Sequence, residues 1–154
     1  MYGEKVTTPK EIKYVLARLN KEAIRELKLL FGSNYKNNVF QIIQKAQGEK
    51  FVIKLQKTDE PVGLFGIISE GVSVGGIFFL TTENLHLGNK IKLLKGAKRQ
   101  IKIWEKKYKL ILDSCHKGNK TIEKWLSLLG FQPSVLQDKD IRIWYKGDLN
   151  VYRN

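Results

Sequence analysis

The sequence has one cysteine and two histidines among its 154 residues. Cys115 has no second cysteine to pair with, so an internal disulfide is excluded. So few soft ligands also rule against a cysteine-rich zinc site, and no metal is expected. Acids are scarce as well: 15 Asp and Glu face 28 Lys and Arg, giving a net charge of +13. A field of that sign attracts polyanions such as nucleic acid, CoA-like phosphates or acidic proteins, without choosing among them. No long apolar run is present. The nearest, Val62 to Leu80, is interrupted by Glu70 and five glycines and reads as two buried strands, not a membrane span. Met1 to Lys10 mixes charge, Gly and Pro, so no export signal is expected and a reducing interior is the default setting. Neither an internal repeat nor a low-complexity linker stands out. The length suits a single domain over residues 1–154 with one core.

The local patterns give an order of elements. A short first strand is expected around Lys5 to Thr7. Thr8-Pro9-Lys10-Glu11 reads as a helix start, with Thr8 as cap, Pro9 in the first turn and Glu11 reaching back to the cap nitrogen. Ile12, Val15, Leu16 and Leu19 follow at helical spacing. Asn20 opens a second helix, with Ile24, Leu27 and Leu30 or Phe31 facing inward and Gly32 ending it. Tyr35, Val39, Ile42, Ile43 and Ala46 mark a third, stopped by Gly48. Lys50 to Lys57, Val62 to Glu70 and Val74 to Thr82 form a three-strand antiparallel meander, with a turn at Thr58 to Pro61. The near-continuous apolar character of the last two strands requires cover on both faces. A long helix from Gly88 to Lys109 keeps Ile91, Leu94, Ala97, Ile101, Trp104 and Tyr108 in a stripe. Leu110 to Asp113 is a short strand. Asn119 caps a further helix with Ile122, Trp125, Leu126 and Leu129 buried, closed by Gly130. Strands near Pro133 to Gln137 and Ile141 to Lys146 finish the chain. The fold class is α/β, with a mixed, mostly antiparallel sheet flanked by helices.

That order, from Lys5 to Lys146, resembles the GNAT fold of acetyl-CoA-dependent N-acyltransferases. Asn119 to Phe131 (Asn-Lys-Thr-Ile-Glu-Lys-Trp-Leu-Ser-Leu-Leu-Gly-Phe) is similar to that family's segment of Asn, helix and Gly-Phe. The resemblance implies acetyl-CoA as cofactor, with contacts from Phe79, Leu80, Thr81, Gly88, Asn89, Lys90 and Asn119. It also exposes departures. The family's pyrophosphate loop reads Arg/Gln-x-x-Gly-x-Gly/Ala, where glycines let backbone N–H groups approach the anion at a helix start. Here the matching residues are Leu85-His86-Leu87-Gly88-Asn89-Lys90, and only Gly88 fits. The family's Tyr, four residues before the Gly of Gly-Phe, protonates the leaving thiolate. Its place is taken by Leu126, and the neighbouring Trp125 has no proton to give.

A narrower resemblance accommodates these losses. Gly75 to Thr82, Leu94 to Ile101, Gly118-Asn119 and Trp-Leu-x-x-Leu-Gly (Trp125 to Gly130) are similar to GNAT-like internal virion proteins of short-tailed bacteriophages. That resemblance implies a virion or assembly component with weak or no acyl transfer, other virion proteins as partners, and a virion or host-cytoplasm location. An active N-acetyltransferase acting on an amine is the alternative. In that case Glu70 or Glu83, at the ends of the meander strands, would take the amine proton, and Tyr108 or Tyr145 would stand in as acid. A third expectation rests on charge: Lys90 to Lys109 carries nine Lys or Arg and only Glu105 as acid, which suits non-specific contact with nucleic acid or a plain solvated face. No helix-turn-helix, zinc-finger or RNA-recognition pattern is present. Cys115-His116, just after a strand, reads as structural, since sequence neighbours usually point apart. His86 reads as a loop residue. Trp104, Trp125 and Trp144 read as core or rim aromatics.

Overall fold

The computed structural model describes residues 1–6 and 8–153, with the side chains of Leu87, Tyr152 and Arg153 left aside. Among the described residues the chain forms seven strands and six helices. In order they are β1 (Tyr2–Lys5), α1 (Pro9–Leu16), α2 (Lys21–Phe31), α3 (Tyr35–Lys45), β2 (Lys50–Lys54), β3 (Pro61–Ser69), β4 (Val74–Thr81), α4 (Leu87–Trp104), β5 (Leu110–His116), α5 (Lys120–Leu128), β6 (Gln132–Gln137), β7 (Ile141–Gly147) and α6 (Asn150–Arg153). The hydrogen-bonded strand order is β1-β2-β3-β4-β5-β7-β6. β4 and β5 pair in parallel, whereas β1–β2, β2–β3, β5–β7 and β6–β7 are antiparallel. The expected mixed, mostly antiparallel sheet with flanking helices is therefore present. The chain divides into two compact units, and β3 and β4 pass through both.

The first unit holds residues 1–68 and 78–90. Its core joins Ile12, Val15, Leu16 and Leu19 to Val39 and Ile43 of α3 and to Val52, Leu64 and Leu80 of the strands. Every residue from Val62 to Ile67 is buried, as two-faced cover requires. Asn20 caps α2 by accepting from the Ala23 N–H at 2.8 Å, and Gly32 closes it at φ 80°. The Thr8 start is only half realised. Pro9 sits in the first turn, yet the Thr8 side chain makes no cap bond. Glu11 turns instead to Lys54 at 2.7 Å, and Lys54 also meets Glu4. A cation between two carboxylates competes better for Glu11 than one backbone N–H, and the pair holds the Lys54 pKa well above its ordinary value.

Several boundaries move. β1 lies at Tyr2–Lys5, ahead of the expected Lys5 to Thr7, because it pairs with β2 from Tyr2↔Lys54 to Lys5↔Phe51; Thr7 lies outside the described residues. β2 ends at Lys54, short of the expected Lys57, and its burial falls on Val52 and Ile53. Leu30, Phe31 and Ile42 are exposed, where inward positions were expected of them.

The second unit holds residues 69–77 and 91–154. Parallel pairing of Val74–Gly76 with Leu110–Leu112 and antiparallel pairing of β5 with β7 place Leu110 and Ile111 at full burial. α4 stops at Trp104, not Lys109, and its buried stripe is Leu93, Ala97, Ile101 and Trp104, with Ile91 exposed. β5 continues to His116, since β7 supplies partners from Asp113↔Trp144 to His116↔Ile141. Cys115 is buried, and its alternation with His116 along β5 keeps the pair apart in direction. The last strand is followed by α6, which local patterns did not indicate; Leu149 and Val151 pack on the cluster of Val74, Leu110 and Leu112. β6 closes the strand order, with its ladder to β7 irregular between Pro133 and Gln137.

Candidate functional site

In the first unit, the residues assigned to the cofactor lie along the end of β4 and the turn into α4. Leu80 is buried, and the Phe79 ring packs on Phe65 with centroids 5.2 Å apart. The polar atoms of Thr81 are already engaged. Asn20 Nδ2 donates to Thr81 Oγ1 at 2.6 Å and to its carbonyl at 3.1 Å, and that carbonyl also accepts from the Asn20 N–H. The cap that starts α2 thus ties it to the last residue of β4. Thr82 follows with a buried Oγ1 that meets no partner among the described residues. Leu85 is 5% exposed, so the residue in the place of Arg or Gln is part of the core and presents no donor to solvent. His86 gives its carbonyl to the Lys90 N–H at 3.0 Å, which starts α4. Gly88 is exposed, and a Cβ on it would meet nothing within 4 Å. Asn89 and Lys90 are partly exposed. Glu83 is exposed, with its N–H bonded to the Arg18 carbonyl.

In the second unit, Asn119 is 5% exposed, and its Oδ1 accepts from the Ile122 N–H at 3.2 Å. It is the expected cap of α5. Leu126 is 3% exposed on the inner side of that helix, beside a partly exposed Trp125. The same unit brings Glu70 and Tyr108 close to β3 and β4. Tyr108 is buried, and its hydroxyl lies 2.6 Å from Ser69 Oγ. Sequence spacing gave no sign of Ser69, which stands 39 positions from its partner. Glu70 folds its carboxylate over Gly76, where a Cβ would approach Oε1 to 2.8 Å. Tyr145 is taken up by Gln132 at 3.3 Å. Among the described residues, no group of three or more His, Cys, Asp or Glu comes together to hold a metal ion, and no helix is long and apolar enough to cross a membrane.

Glu70 is exposed as a residue, but its carboxylate lies against Gly76, and that close approach has a titration consequence. Desolvation disfavours the charged form and raises its pKa above the usual 4.5. Folding therefore favours the neutral acid. That contribution to stability is complete below pH 4.5 and is lost as pH rises through the folded-state value. Glu70→Gln is expected to flatten this decline, read as urea midpoints from about pH 4 to 7. A variant profile as steep as the parent's would clear Glu70 of the effect.

No protein-family model and no curated protein matches the sequence. Solved structures do. An acetyltransferase of Streptococcus agalactiae superposes with a TM-score of 0.71 at 16% identity, covering 96% of this chain and 98% of that one. The fold is that of the GNAT acetyltransferases. A Campylobacter jejuni N-acetyltransferase in complex with acetyl coenzyme A gives 0.60 at 12% identity, over 96% of this chain and 99% of that one. A GNAT family acetyltransferase from Elizabethkingia anophelis with acetyl-CoA bound gives 0.65 at 13%, over 96% and 97%. Two residues of the first unit and one of the second depart from what the family resemblance implies for acetyl-CoA. A buried Leu85 offers no donor to a pyrophosphate, Lys90 puts a long side chain where a glycine is needed, and Leu126 has no proton for a leaving thiolate.

Proposed function

We propose that this protein uses the GNAT scaffold as a structural or assembly component of a short-tailed bacteriophage particle, with little or no acyl transfer. The observation that carries this reading is the burial of Leu85 and Leu126. Two positions that the family resemblance assigns to ligand contact are buried in packing here. The resemblance of Gly75 to Thr82, Leu94 to Ile101 and Trp125 to Gly130 to internal virion proteins supplies the biological setting. The second reading, an N-acetyltransferase acting on an amine, is favoured by neighbours that hold acetyl-CoA and by the retained Asn119 and Gly88.

Titration calorimetry with acetyl-CoA separates the two. No heat of binding is expected at millimolar ligand. Micromolar binding that disappears in Asn119→Ala or Gly88→Trp would overturn the non-catalytic reading. Mass spectrometry of purified particles is expected to find the chain at a fixed copy number, and its absence from particles would end the virion reading.

A further inference from the structure

The geometry points to the outward face of α4 as a binding surface for the phosphate backbone of double-stranded DNA. Lys92, Lys95, Lys98, Arg99 and Lys102 are all exposed. At 100° per residue they fall within one arc of the helix, opposite the buried Leu93, Ala97, Ile101 and Trp104. From Lys92 to Lys102 the face is about 15 Å long. No acid lies on it, and no ion pair among the described residues engages its five cations. The one acid in the stretch from Lys90 to Lys109, Glu105, is paired with Lys146.

A helix that merely meets water interleaves its charges. α2 does so, alternating Glu22 and Glu26 with Lys21, Arg25 and Lys28. On α4 the pairs 92–95, 95–98, 95–99, 98–102 and 99–102 are all like-charged neighbours and mutually repulsive. A polyanion laid along the face turns each repulsion into an attraction. The class of polyanion follows from what else the helix shows. Single-stranded nucleic acid is held by stacking on exposed aromatic rings, but Trp104 and Tyr108 are buried. A helix embedded in a membrane interface buries a continuous apolar stripe beside its charges. Here the exposed Ile91 and Ile103 are separated by more than three turns and face different directions. A regular row of phosphates needs neither rings nor an apolar stripe. The surface reads no bases, so the contact is independent of sequence.

This inference stands apart from the acetyl-CoA question. The test uses the full chain and a fluorescent duplex of about 30 base pairs, followed by anisotropy against salt. Five phosphate contacts predict a slope of log K on log salt near −4.5, or roughly 500-fold weaker binding between 50 and 200 mM. The triple variant Lys95→Gln, Arg99→Gln, Lys102→Gln is expected to shallow the slope by about 2.7. The control triple Lys21→Gln, Lys36→Gln, Lys45→Gln, exposed on the other unit, leaves it unchanged. All substituted side chains are exposed, and equal circular dichroism melts confirm intact folds. Equal losses from both triples would overturn the proposal in favour of diffuse charge. So would a flat salt response, tighter binding to an oligo-dT of the same length, or tighter binding to phosphatidylserine vesicles than to the duplex.

Discussion

Gly48→Ala is expected to lower stability by about 3 kcal/mol or more, the sum of backbone strain and overpacking. Gly48 has φ 131°, a conformation that L side chains rarely adopt. A Cβ there would sit 1.9 Å from the Ile67 carbonyl oxygen and 2.8 Å from its carbon. Both atoms are backbone of Ile67, which is fully buried within β3, so neither can yield cheaply. Glu49, the next residue, gives its carbonyl to the Ile67 N–H at 2.9 Å, which fixes the approach. Gly32→Ala is the matched control. Its φ of 80° is also left-handed, yet nothing lies within 4 Å of its Cβ, so about 1–2 kcal/mol of strain is expected. Urea midpoints at constant slope measure both. If the two variants lose the same amount, contact at Ile67 is not what demands a glycine at 48.

Trp104→Ala is expected to lower stability by about 3–5 kcal/mol. Trp104 is 2% exposed on the last turn of α4, below Ile101 at 0%. Removing the indole empties a large volume in the second unit and takes away the last anchor of the helix before the turn at Glu105 to Lys107. Ile103→Ala, one position away and 55% exposed, is expected to change stability by less than about 0.5 kcal/mol. A Trp104 variant no weaker than the Ile103 variant would show that the inner face of α4 is not set by this ring.

Much of the fold was legible because its signals are local. Asn20 and Asn119 each accept the N–H three residues ahead, as cap chemistry anticipates. The meander was visible in the density of β-branched and aromatic residues between glycines. What escaped depends on partners distant in sequence. Ser114 to His116 carry a polar pattern that argues against continuing the strand beyond Asp113, but β7 offers them a full ladder. Glu11 looks like half of a capping box until Lys54, 43 positions later, takes it. Leu30 and Phe31 have the right residue types and spacing for a core. How far the core extends under a helix end is set by the neighbouring elements, and here it stops short. α6 is four residues long, too short to show a period.

The candidate site divides in the same way. That Leu85 and Leu126 replace polar residues is plain from the letters. That both are packed inside is a fact of the fold. The Ser69–Tyr108 pair was invisible because it joins the end of a strand to a residue 39 positions later, just past the turn that follows α4.

The outermost strands deny the sheet a way to grow. β1 offers only four residues to a visiting chain. β6 is longer and shows an exposed Val135 and Leu136, a surface that invites edge-to-edge pairing. Pro133 lacks a donor, and the register break between Pro133 and Gln137 leaves no straight ladder to template on. Each margin thus carries a feature that opposes edge-to-edge pairing between copies, brevity at β1 and a proline with a broken register at β6.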